Sequence, residues 1–118
     1  MHELSVCGAL LDEVSRLAMQ HGASAVSMVN LRLGPLSGVE PALLQAAYLQ
    51  ARRGTPARNA GLAIAMVPLR IACMRCGAEG DAAPGCLSCA SCGSERTRLL
   101  SGDELQLDSV DLVFDERA

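Results

Sequence analysis

Two C-x-x-C pairs constrain this chain more than any other feature of it. Cys73 and Cys76 form the first pair and Cys89 and Cys92 the second, with twelve residues between them. Two such turns place four thiolates around one point, the tetrahedral soft-sulfur set that zinc prefers. A glycine follows each pair, Gly77 and Gly93, as a tight turn favours. Gly, Asp and Pro surround these cysteines with no apolar period, so a set of buried free thiols fits poorly. Cys86 complicates the count, because it forms an overlapping C-x-x-C with Cys89. The distal pair is read as Cys89 with Cys92, since Gly93-Ser94 makes the better turn, and Cys86 stands as an alternative zinc ligand. An iron–sulfur or rubredoxin-like centre uses the same four thiols and stays open on spacing alone. A closed four-thiolate site does no chemistry; it folds a segment too small to fold unaided.

The rest of the chain has regular periodicity. Leu4, Cys7, Leu11, Val14 and Ala18 recur at three and four residues, with Leu10 and Leu17 widening the stripe. This predicts an amphipathic helix over residues 4–20, ended by His21-Gly22, with Cys7 as a core residue. Val29, Leu31 and Leu33 alternate with polar or flexible neighbours as a half-buried strand does, and Gly34-Pro35 breaks it. Residues 41–52 read as a second helix with Leu44, Ala47, Tyr48 and Ala51 on one face. Leu62, Ile64 and Met66 alternate as a second strand, with Pro68 marking its end or an edge. After the cysteine-rich stretch, Leu105 and Leu107, then Val110, Leu112 and Phe114, return to strand alternation with a one-residue slip of phase. The last strand most simply rejoins the first sheet. The expected architecture is α+β: a small mixed sheet with two helices, formed by residues 1–70 and 100–118, carrying an inserted zinc-ribbon-like module at residues 71–99.

Composition narrows the function. The chain has 118 residues, a net charge of −3, ten arginines and two aromatic residues, Tyr48 and Phe114. There is neither a basic stripe nor a set of aromatics for stacking bases, which excludes nucleic acid as the expected partner. Arg52-Arg53 with Arg58 reads as a solvated helix end. No apolar run reaches the length of a membrane span, and no cationic leader precedes an apolar core, so a cytoplasmic protein with reduced thiols is expected. No Ser/His/Asp constellation, GxGxxG or phosphate loop is present, which argues against an enzyme.

The chain opens Met1-His2-Glu3. An N-terminal amine, the His2 imidazole and a backbone amide make a nitrogen-rich chelate of the kind that suits Ni(II) or Cu(II). By local evidence alone, a solvated histidine is the better reading of the stretch. Glu40 has two structural readings: Ser37-x-x-Glu40 as a capping box, or Glu40 as the residue before Pro41 at the start of the second helix. His21 reads as a solvated or dipole-satisfied imidazole at the end of the first helix.

MHELSVCGALLDEV, LRLGPLSGVEPALLQAAY, the double C-x-x-C insert and the terminal GDELQLDSVDL occur in the order found in the HypA/HybF family, which this chain resembles over essentially its whole length. The resemblance implies a nickel metallochaperone of [NiFe]-hydrogenase maturation. It implies a nickel site built on His2 as the first-choice ligand, with Met1, Glu3 and Glu40 as contributors, and a separate structural zinc site. The partners it implies are a HypB-like maturation GTPase and the hydrogenase large-subunit precursor. Urease shares the need for nickel and is the other recipient to consider. A homodimer by exchange of parts between protomers is compatible with the two-part layout. The segment GLAIAMVPLRIACMRC departs from the family in lacking an acidic residue before the first cysteine pair. Two rival readings remain: a zinc-ribbon adaptor between proteins without nickel transfer, and an iron–sulfur or rubredoxin-like electron carrier.

Overall fold

The computed structural model describes residues 2–115, the side chain of His2 excepted. Eight elements follow in order: α1 (His2–Gln20), β1 (Ala25–Leu33), α2 (Pro41–Ala51), β2 (Gly61–Met66), β3 (Arg70–Cys73), β4 (Glu79–Asp81), β5 (Thr97–Ser101) and β6 (Leu105–Val113). They form two three-stranded sheets, ordered β2-β1-β6 and β4-β3-β5.

The chain divides into two compact units. The first comprises residues 1–31, 39–65 and 106–118. Its stripe on α1 is the expected one: Cys7, Leu10, Leu11, Val14 and Ala18 are buried, whereas Leu4 is about half exposed. That face packs against α2, where Leu44 and Tyr48 are fully buried. Val29 and Leu31 on β1 are buried as the alternation requires. Ser24 N–H donates to the Val113 carbonyl, Ser27 Oγ to the Asp111 carbonyl and Asn30 Nδ2 to Ser109 Oγ, so β6 runs antiparallel to β1. β2 follows β1 through α2 and runs alongside it in the same direction, as Met28 beside Gly61 and Leu33 bonded to Val67 indicate. The sheet is therefore mixed, with a helical crossover between its parallel strands. On β6 the half-buried residues are Leu107, Val110 and Leu112, so the slip of phase read from the sequence is real.

Three side chains tie α2 and its C-cap to the start of β2. Tyr48 Oη and Arg52 Nη1 both donate to the Ala60 carbonyl, at 3.1 and 2.9 Å. Gln45 Nε2 donates to the Leu62 carbonyl at 2.7 Å. Because Arg52 would still satisfy Ala60, Tyr48→Phe is expected to cost only about 1 kcal/mol. Tyr48→Ala should cost about 4 kcal/mol, by emptying a fully buried site. Urea unfolding midpoints of the two variants separate the hydrogen bond from the packing.

The second unit comprises residues 32–38 and 66–105. Its sheet is fully antiparallel: Ile71 faces Gly80 on β4 and Leu99 on β5, and Arg70 pairs with Asp81 through a 3.0 Å ion pair. The sequence marks residues 71–99 as a zinc-ribbon-like module but does not place its strands β3, β4 and β5. Strands of three to five residues, one with a central glycine, are too short to show alternation. The Leu33-Gly34-Pro35 turn belongs to this unit. Val67 N–H donates to the Leu33 carbonyl, Gly34 N–H to Glu104 and Leu36 N–H to Gly102, at 2.7–2.9 Å. Gly34 and Gly102 meet backbone to backbone, with no room for a side chain on either.

Candidate metal centre

The two cysteine turns are near copies sixteen residues apart. Cys73 N–H donates to Ala78 and Gly77 N–H to Cys73; Cys89 N–H donates to Ser94 and Gly93 N–H to Cys89. Gly77 and Gly93 both take positive φ, +79° and +76°, the conformation that closes each turn at no steric cost. Inside the first turn, the backbone N–H groups of Arg75 and Cys76 both donate to Cys73 Sγ at 3.3 Å. β3 carries Cys73 into the turn, and the loop before β5 carries the second pair.

The four sulfurs of Cys73, Cys76, Cys89 and Cys92 lie within 4.8 Å of one another. Cys73 is 3.6 Å from Cys92, and Cys76 is 3.6 Å from Cys89. These gaps are far too long for disulfides, and all six cysteines are free. They match the edge of a tetrahedron around one ion at a metal–sulfur distance of about 2.3 Å, which is about 3.8 Å. Cys73 and Cys89 are buried, and Cys76 and Cys92 are exposed.

The electrostatics of the thiols fit a cation. The backbone N–H groups of Cys76 and then Arg75 hold the Cys73 thiol down to about 6. Those of Cys92 and Ser91 lower Cys89. Cys92 goes the other way, up to about 12. The Ser94 N–H favours its thiolate, but the hydrogen bond with Cys73, desolvation and the bonds with Cys76 and Cys89 outweigh it. Four sulfurs this close share protons unless a cation replaces them.

Cys86 lies outside the group, exposed at a turn where its N–H donates to Ala83. Cys7 is fully buried, its Sγ 3.6 Å from the Leu44 carbonyl, and desolvation followed by the nearby Glu3 carboxylate pushes its thiol up. The Met1 amine and the His2 imidazole lie outside the described residues. Their neighbour is described: Glu40 N–H donates to Glu3 Oε2 at 3.4 Å. Glu40 is the N-cap of α2, extended at φ −86° and ψ 120°, with its Oε1 3.5 Å from Ala42 N and Pro41 in the first helical position. Of the two structural readings of Glu40, the residue before Pro41 is the one formed. Ser37 does not cap the helix. His21 is exposed just after α1. The backbone donors at residues 75, 76, 91 and 92 come to light only in the structure, although C-x-x-C spacing implies such donors. No local pattern signals the contact between Glu3 and residue 40; only the family resemblance groups the two.

The fold and the thiols define a class: small α+β proteins in which a four-thiol group fit for a metal is built into a second sheet. The family model for "Hydrogenase/urease nickel incorporation, metallochaperone, hypA" matches residues 1–112. A hydrogenase maturation factor HypA of Nitrosospira multiformis is 45% identical over 113 residues, covering 96% of this chain and 98% of that protein. The HypA of Aquifex aeolicus is 37% identical over 115 residues, covering 98% and 100%. The solution structure of the Ni metallochaperone HypA from Helicobacter pylori has the same fold, with a TM-score of 0.70 at 22% identity over 96% of this chain and 98% of that one. This chain belongs to the HypA family of nickel-incorporation metallochaperones. No helix among the described residues is long and apolar enough to cross a membrane.

Proposed function

We propose that this chain binds one Ni(II) ion at its N-terminus and delivers it during maturation of [NiFe]-hydrogenase. His2 is the principal ligand, assisted by the Met1 amine, with Glu3 and Glu40 beside it. The observation that carries this reading is the meeting of Glu3 with the start of α2. The residue directly after His2 reaches the backbone of Glu40, bringing a second acidic residue to the same end of the first unit. Hard carboxylates next to a nitrogen-rich set suit a divalent ion that must be released again.

The four cysteines hold a structural Zn(II), in a module at residues 71–99 set into a nickel-binding domain of residues 1–70 and 100–118. All four sulfurs would be ligands, which leaves no open position for chemistry. The second unit contains neither of the two aromatic residues of the chain, an environment unlike the aromatic shield of an iron-based electron carrier. Delivery makes and breaks no covalent bond, so no enzymatic activity is assigned. The protein works in the cytoplasm, taking nickel from or passing it to a HypB-like GTPase and the hydrogenase large-subunit precursor.

Calorimetric titration of the zinc-loaded protein with Ni(II) tests the site. One nickel site is expected in the wild type and none, or one weakened at least tenfold, in His2→Ala, with zinc content unchanged. Equal nickel binding by both proteins would move the site away from the N-terminus.

A further inference from the structure

Two arginines of the second unit, Arg75 and Arg96, line one hollow. Arg75 lies inside the first cysteine turn and Arg96 just after the second. Met74 N–H donates to the Arg96 carbonyl at 2.8 Å, which holds the two stretches side by side. Met74, Arg75, Ser94 and Arg96 line a hollow of about 450 Å³, a volume in the range of ligand sites.

Among the described residues neither arginine has a carboxylate partner. The ion pairs among the described residues are Arg16 with Glu13 and Arg70 with Asp81. Glu95 is next to Arg96 in sequence, but it lines a different hollow with Gly85, Cys86, Leu87 and Ser88. Met74 is 66% exposed. Two guanidinium groups present forked donors that match carboxylates, and an exposed thioether adapts to an apolar side chain. No aromatic residue of this unit is available to stack a base.

The geometry points to a receptor for an acidic segment of a protein partner, one with two close carboxylates beside an apolar residue. This rests on the delivery reading: the partner is the protein that exchanges nickel with this chain, held by the second unit while the ion is held at the N-terminus.

The probe is a capped pentapeptide of sequence DELDE, with NQLNQ and inorganic phosphate as comparators, added to the isotope-labelled, zinc-loaded full chain. DELDE is expected to shift the Arg75 and Arg96 guanidinium signals and the Met74 methyl signal, and NQLNQ to leave them still. Arg75→Glu/Arg96→Glu should weaken DELDE at least tenfold, and 0.5 M salt should do the same. Phosphate shifting the same signals as strongly as DELDE would reduce the site to a simple anion hollow and overturn the proposal. So would a single-stranded oligonucleotide bound more tightly than the peptide. The arginines have one other evident use, which is to offset the charge of the four thiolates. Loss of zinc from both the Glu double variant and the milder Arg75→Gln/Arg96→Gln variant would assign them that role instead. Nickel titration of the same variants reads the delivery proposal separately, since they leave the N-terminus intact.

Discussion

Cys73→Ala is expected to empty the metal centre and unfold the second unit while the helices of the first persist. Cys73 is buried, ends β3 and accepts two backbone N–H groups at 3.3 Å, so its sulfur organises the turn in addition to its proposed part in the metal centre. The sheet it anchors has strands of three to five residues. So little structure buries too little apolar surface to outweigh chain entropy by itself. Metal binding supplies about 10 kcal/mol or more to the folding of such modules. Both helices lie in the first unit, so the helical circular dichroism should be largely retained. Zinc content should fall to near zero, and amide protection across residues 70–101 should be lost. Cys86→Ala is the matched control, because Cys86 sits outside the sulfur group; it should keep its full complement of zinc. Retention of zinc and protection in Cys73→Ala, or loss of both in Cys86→Ala, would assign the wrong four sulfurs.

Gly34→Ala is expected to destabilise the protein by about 3 kcal/mol or more. A Cβ at residue 34 would overlap the backbone carbonyl of Gly102, and Gly102 cannot retreat. It takes φ +123°, and its own Cβ position lies 2.7 Å from Leu69 Cδ1 and 2.9 Å from Leu69 Cα. Backbone on backbone leaves no flexible side chain to yield. Relief requires parting the two segments, which breaks the bonds from Gly34 N–H to Glu104 and from Leu36 N–H to Gly102. Gly38→Ala provides the comparison. Gly38 also has positive φ, +79°, but open space around its Cβ position, so only the left-handed strain of about 1–2 kcal/mol applies. Thermal and urea unfolding of the pair should rank Gly34→Ala well below Gly38→Ala; equal stabilities would show that the close approach carries no weight.

Periodicity and spacing alone determined much of this protein. The stripe from Cys7 to Ala18, the alternation from Val29 to Leu33 and the face of Leu44 and Tyr48 are local patterns, each repeated often enough to specify an element and its buried side. The slip of phase at Leu107 and Val110 was legible for the same reason. The grouping of four cysteines was legible because a C-x-x-C turn constrains its own two sulfurs through bonds that close within five residues. What tertiary structure decided lies across long sequence gaps. The three short strands of the second unit gain their partners from residues eleven and thirty-one positions away, as Arg70 does from Asp81 and Ser101. Gly34-Pro35 reads as a strand breaker, and only the fold brings Gly102 against it to explain the missing side chain. Glu3 and Glu40 stand 37 positions apart, and their contact forms only as α1 packs on α2. Of three overlapping cysteines, the path of the chain after Pro84 leaves Cys86 outside the sulfur group and brings Cys89 and Cys92 into it. Local interactions repeat along a sequence and can be read there; the closure of a long loop leaves no such repeat, because it depends on everything that packs around it.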